Sequence, residues 1–215
     1  QLQLTGDWRP AALQLELLQP LLVGFSYRQP AAAGARLQVP AAELRFSTGQ
    51  LACLQSNWQQ CQLKLNASAV VRKLTHPQLQ TSDWTWQGQA MGSLVDLHLS
   101  GAVENPQSLK VSYKAQLSPT ALSLQWQLAD MFLLAGNPLQ ISKLWPQLLE
   151  LQAGKISAQG EVQVQLPAAR LQELKVVAAL NELKGIYDRT AFSGLTADIV
   201  LEGDPGSFVL QLPQV

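Results

Sequence analysis

The chain has 215 residues, 15 of them basic and 15 acidic, for a formal net charge of zero. That length suits one large all-β domain or two small ones, and the absence of a basic stripe or of interleaved aromatic and basic residues leaves nucleic-acid binding unsupported. Only 14% of residues are charged; polarity comes from 28 Gln, set against 40 Leu. Both are in excess of ordinary usage, and a lineage bias in composition would produce the same numbers.

No signal peptide is visible, and no apolar run approaches the roughly 18 residues of a membrane span. The sequence starts at Gln1 and ends on the strand-like stretch 208–212, so both ends read as cut from a longer protein. In chain order, a strand start at 2–4 is interrupted by Gly6 and Pro10, and further strands are expected at 13–17 and 21–27. The loop 29–34 carries two breakers. Short strands at 36–39 and 43–47 are expected on either side of Pro40. A hairpin follows from 51–53 and 61–71, then a turn at His76–Pro77. The stretch 83–87 puts Trp84 and Trp86 on one face. Strands 95–103, 109–117 and 122–128 read as a meander with breaks at Asn105–Pro106 and Pro119.

Periodicity changes near residue 137. Leu139, Leu144, Leu148 and Leu151 recur at helix-like intervals, with Pro146 in the first turn and Gly154 as a stop, which predicts one short helix over 139–151. Strands resume at 155–166, 174–180, 192–201 and 208–212, with 168–174 ambiguous. The expected class is mainly β: a single β-rich segment spanning 1–215, built as a long antiparallel, twisted sheet.

The alternation is the main evidence. In 154–166, Ile156, Ala158, Gly160, Val162, Val164 and Leu166 share one face; Lys155, Ser157, Gln159, Glu161, Gln163 and Gln165 share the other. Leu109, Val111, Tyr113, Ala115 and Leu117 alternate likewise with Lys110, Ser112, Lys114 and Gln116. Strict period two means a strand with one greasy and one wet face. Such a face must be covered, and where too little protein remains to cover it, it is a candidate ligand surface. The residues expected to line it are Val95, Leu97, Leu99, Leu109, Val111, Tyr113, Leu122, Leu124, Trp126, Ile156, Val162 and Val164. The tryptophans read as core or as lining of this face, with carbohydrate stacking a further use.

Cys53 and Cys61 flank a turn centred near Asn57. If the strands pair about that centre, Cys53 faces Cys61 and Leu51 faces Leu63, close enough for a disulfide. A bridge points to an oxidising compartment; two buried free thiols are the alternative. Two cysteines with no neighbouring His cannot fill a tetrahedral metal shell.

Chemistry-bearing patterns are absent from the sequence. Asp96, His98 and Ser100 alternate on one strand, so they point the same way at fixed spacing, with no oxyanion loop after them. Phe192–Ser193–Gly194 lacks the nucleophile elbow, and the glycines are too scattered for a phosphate loop. Asn66–Ala67–Ser68 matches a glycosylation acceptor but reads as strand. The expectation is a protein that is not an enzyme and uses no metal or cofactor.

The helix-like Leu and Pro stretch followed by AGKISAQGEVQVQL resembles the strand entry of the AsmA-like bridge proteins of Gram-negative envelopes. The later LKVVAALNELKGIYDRTAFSGLTADIVLEG is similar to their YdbH-like branch, on the elements Gly185–Ile186–Tyr187–Asp188 and Phe192–Ser193–Gly194–Leu195. The resemblance covers about 139–203. It implies a half-pipe β-groove crossing the periplasm from an inner-membrane anchor, carrying phospholipids on an apolar concave face. It further implies partners: phospholipid acyl chains, neighbouring segments of the same chain, and a small outer-membrane lipoprotein that adds strands. The alternative is a structural envelope module whose apolar face is filled by its own loops and which acts by pairing strands with partners.

Overall fold

The computed structural model describes residues 3–9, 12–28, 37–54, 57–77, 79–93, 95–105, 109–133, 149–204 and 207–211. They form thirteen strands: β1 (Leu4–Arg9), β2 (Ala12–Leu17), β3 (Leu21–Arg28), β4 (Gln38–Leu54), β5 (Asn57–His76), β6 (Leu79–Ser93), β7 (Asp96–Glu104), β8 (Lys110–Leu117), β9 (Ala121–Leu133), β10 (Leu149–Gln165), β11 (Arg170–Tyr187), β12 (Thr190–Asp204) and β13 (Ser207–Gln211). All belong to one open antiparallel sheet in the order β1-β2-β4 and on through β13, with β3 also paired to β4. β2 opposes β4 over 50–54 and β3 opposes it over 38–46, so the two lie end to end along one edge of β4.

Short turns explain the meander. Between β11 and β12, Asp188 and Arg189 both adopt positive φ, 42° and 70°. Paired left-handed residues match the twist of the strands they join. Between β8 and β9, Ser118 N–H donates to the Ala121 carbonyl at 2.8 Å, and Ala121 N–H donates to Ser118 Oγ at 3.0 Å.

Two long strands carry bulges of one design. Lys73 in β5 and Glu182 in β11 have φ of 54° and 50°. Each inserts an extra residue, so the alternation resumes in phase and Leu74 and Leu183 return to the face of Val71 and Leu180. The backbone N–H of each bulged residue is taken by the next strand: Lys73 N–H by Asp83 Oδ1 at 2.8 Å, Glu182 N–H by Thr196 Oγ1 at 3.2 Å.

Several expectations need correction. Residues 139–148 of the expected helix lie outside the described residues, and 149–151 are the start of β10. There the register shifts between Leu151 and Ala153 and again before Lys155, so Leu151 is out of parity with Ile156 although the two pack in one cluster. Gly154 lies within β10 at φ 115° and is not a helix stop. Pro40 does not divide two strands: β4 runs through it, and on the β5 side its ladder pairs Gln38 and Ala41 but neither residue between, an irregular stretch in which a residue without N–H is tolerated. Gly6 does not interrupt β1.

No second layer covers the sheet among the described residues. The accessible surface is 14323 Å², whereas a compact monomer of 23.4 kDa would expose about 9,700 Å². No large side chain is fully buried among the described residues. Among the described residues the buried cluster is a corner formed by Leu133, Leu151 and Leu183, with Ile156, Leu180 and Phe192 against it.

Candidate functional site: an apolar sheet face

The register joins the alternating strands into rows. Leu174, Val162, Leu124, Ala115, Leu99, Ala90, Leu65 and Gly49 oppose one another from β11 across to β4. One residue along, Gln163, Ser123, Gln116, His98, Met91, Lys64 and Gln50 form the neighbouring row on the opposite face. Burial follows the same alternation: in β8 and β9 the apolar positions are half-buried or buried and the polar ones exposed. No described residue is stacked on the apolar face, and neighbours within the face contribute to that half-burial.

The expected lining residues can now be placed. Leu97, Leu99, Val111, Tyr113, Leu122, Leu124, Trp126, Ile156, Val162 and Val164 lie together on this face. Val95 does not: it sits in the turn before β7 and is exposed. Leu109 belongs to the β7–β8 connection, where its N–H donates to Asn105 Oδ1 at 3.2 Å and its carbonyl accepts from Asn105 N–H at 3.0 Å. Charged side chains of β4 to β12 fall on the other face or at bulges. Between the line of bulges and the opposite hairpins, Trp84, Trp86, Tyr113 and Trp126 are the hydrogen-bonding side chains on the apolar face of β4 to β12 among the described residues.

The sequence did not reveal how these aromatics are seated. Gly88, Gly101, Tyr113, Trp126 and Gly160 occupy one row. A Cβ on Gly101 would come within 2.9 Å of Tyr113 Oη, and one on Gly160 within 2.7 Å of the Trp126 ring. A Cβ on Gly88 would lie 2.7 Å from the Trp86 ring. Each ring therefore lies low over a glycine. Trp86 Nε1 donates to Tyr113 Oη at 2.7 Å, bridging β6 to β8 across β7. Trp84 Nε1 is buried without a partner.

The polar face is tied by cross-strand side-chain bonds. Asn66 Nδ2 donates to Thr48 Oγ1 at 2.7 Å, Gln89 Nε2 to Ser100 Oγ at 3.0 Å, and Gln125 Nε2 to Glu161 Oε1 at 3.1 Å. Lys110 pairs with Glu104 at 2.6 Å, Lys155 with Asp130 at 2.7 Å, and Lys175 with Glu202. The Glu202 hydrogen bond and charge hold the Lys175 pKa above its ordinary value. Open cavities of about 500 Å³ and 510 Å³ lie on this side, walled by Ser100, Lys114, Gln125 and Glu161 in one and by Asn66, Gln87 and Gln89 in the other. Their depth is that of the long side chains around them.

Asp96, His98 and Ser100 stand in this exposed setting. Asp96 Oδ1 lies 3.5 Å from His98 Nε2 and accepts from Gln116 Nε2 at 2.8 Å. Asn66 of the glycosylation pattern is a strand residue of β5. Among the described residues no three His, Cys, Asp or Glu gather as a metal cluster.

Cys53 and Cys61 form a disulfide, with Cα atoms 4.2 Å apart. Leu51 opposes Leu63 as expected, but Asn57 is not the centre of the turn: it opens β5 opposite Leu54, and the register shifts between Ala52 and Leu54. Both cysteines are buried on the apolar face at the end away from the bulges at Lys73 and Glu182.

Neither a family model, a curated protein nor a solved structure matches the chain.

Proposed function

We propose that the chain is a segment of a β-groove that holds phospholipid acyl chains on its apolar face and carries them between the inner and outer membranes of a Gram-negative envelope. The observation that carries this reading is a continuous apolar face across β4 to β12, free of charge within its rows and uncovered by any second layer among the described residues. Acyl chains are suited to such a surface, since each buried methylene contributes about 0.8 kcal/mol and needs no polar partner. Strand twist would curl a sheet this wide about one face. The Cys53–Cys61 bridge fits an oxidising compartment such as the periplasm.

Mass spectrometry of organic extracts from purified, monodisperse protein produced in a periplasm tests this. Diacyl phospholipid in near-stoichiometric amount is expected. Folded protein free of lipid overturns the reading.

A specific feature favours a second role beside the first. Leu22, Val23, Phe25 and Tyr27 of β3 are exposed on a strand with one neighbour, β4, among the described residues. An exposed, mostly apolar edge invites strand pairing. Photocrosslinkers at Leu22 and Phe25 in intact cells should capture an adjacent β segment; capture of nothing at either position counts against strand pairing here.

A further inference from the structure

We infer that Tyr113 and Trp126 are two separate donor positions, each holding an ester carbonyl of an acyl glycerolipid within the apolar face, an inference that rests on reading that face as an acyl-chain surface. The chemistry of the four aromatic residues carries it. Indole N–H groups only donate. Trp86 Nε1 already donates to Tyr113 Oη, which leaves the phenolic proton available to a further acceptor. Trp126 Nε1 makes no hydrogen bond among the described residues and is not buried without a partner as Trp84 Nε1 is. Each position thus offers a donor and no charge. Its complement is a neutral acceptor delivered among aliphatic chains, which describes an ester carbonyl. A free carboxylate would have to be desolvated without a cationic partner, which is costly.

The glycine row supplies the geometry. With Gly101 and Gly160 beneath them, the two rings lean to opposite sides, Tyr113 over β7 and Trp126 over β10. Their polar atoms are held low while the aliphatic rows on either side receive the chains. A methyl group at position 160 would meet the Lys175 carbonyl and the Trp126 ring alike at 2.7 Å, and one at 101 would meet the Gln87 carbonyl before Tyr113 Oη, so either would press on the ladder as well as on the ring.

The test uses delipidated full chain and vesicles of two phosphatidylcholines with identical chains, one ester-linked and one ether-linked. The ester lipid should be retained roughly two- to tenfold better, the worth of a net hydrogen bond. The double substitution Tyr113→Phe and Trp126→Phe should remove that preference while ether-lipid retention stays at the wild-type level. Gly160→Ala, which leaves both donors in place but displaces Trp126, should reduce the preference; a thermal melt checks that each variant is folded. Equal retention of both lipids by wild type, or a preference that survives the double substitution, overturns the donor positions while leaving the acyl surface standing. Retention of neither lipid overturns both.

Discussion

Two regions of the same apolar face behave differently. At the corner, Leu133, Leu151 and Leu183 are 9%, 7% and 3% exposed. In the central rows, Leu99, Leu124 and Val162 have the same chemistry and strand setting but are only half-buried. The difference lies in the backbone. Around the corner, β9, β10, β11 and β12 extend past the end of β8 and carry the register shifts at 128–131, 151–155 and 180–185. Bulges bend and twist strands, and there the sheet packs side chains from four strands against one another. The centre has an unbroken ladder from β6 to β9 and gains no such closure. A single layer makes its own core only where it is kinked; elsewhere its apolar face depends on something laid upon it.

The largest expected effect follows at the corner. Leu183→Ala should destabilise by about 2–4 kcal/mol, the usual cost of emptying a buried leucine site, read from a thermal or urea melt. The same truncation at Leu124 should cost clearly less. Equal losses at the two sites would show that the centre is covered after all.

Next comes the disulfide, which secures the hairpin end as the bulge cluster secures the other. Closing the eight-residue separation of Cys53 and Cys61 constrains the unfolded chain by about 2–3 kcal/mol on the entropic account. The paired change Cys53→Ser and Cys61→Ser should lower the melt accordingly while leaving lipid retention intact. Loss of lipid in a variant that remains folded would assign the hairpin end a role in the face itself.

Val162→Asp sharpens the comparison more finely. On an open face the carboxylate can stay hydrated while the protein is empty, so the fold should survive with a loss within about 1 kcal/mol. Acyl chains would have to desolvate it, and lipid retention should collapse. Gln163→Asp, one residue along on the polar face, should change neither. Unfolding by Val162→Asp would put the central rows on the same footing as Leu183 and remove the case for an open groove.

How much of this was legible in the sequence depended on how far register had to be carried. Alternation in 109–117 and 155–166 places Val111 and Val162 on the greasy face without knowledge of any partner strand. The Cys53–Cys61 bridge needed only one turn to be counted. Val95 was misplaced because it shares the parity of Leu97 while lying in the turn, where parity carries no direction. Leu151 was misread because a bulge and a helix both break period two. The meeting of Tyr113 with Gly101 and of Trp126 with Gly160 requires the pairings from β7 to β10 to be correct together, beyond what periodicity supplies. Alternation placed strands at 174–180 and 192–201 but not the continuation of β11 past Glu182 to Tyr187, because a left-handed residue there leaves no mark in a Leu, Asn and Glu sequence.

The smallest effect belongs to the polar face. Lys175 is held above its ordinary 10.5 chiefly by its hydrogen bond to Glu202 and then by the Glu202 charge. A raised lysine value means that its contribution to stability is fully present below 10.5 and is lost as pH rises through the higher folded value. Across the neutral range the Lys175 term should therefore be flat. Both partners are nearly half exposed, so solvent screens the pair and it contributes little to stability. In Glu202→Gln the Lys175 titration, followed by NMR at its terminal methylene, should fall back toward 10.5, while the melt at neutral pH stays within error of wild type. A melt lowered as far as that of Leu183→Ala would mean that the polar ladder shares in holding the sheet together, and that the contrast between a kinked core and an open face does not by itself account for the stability of a single layer.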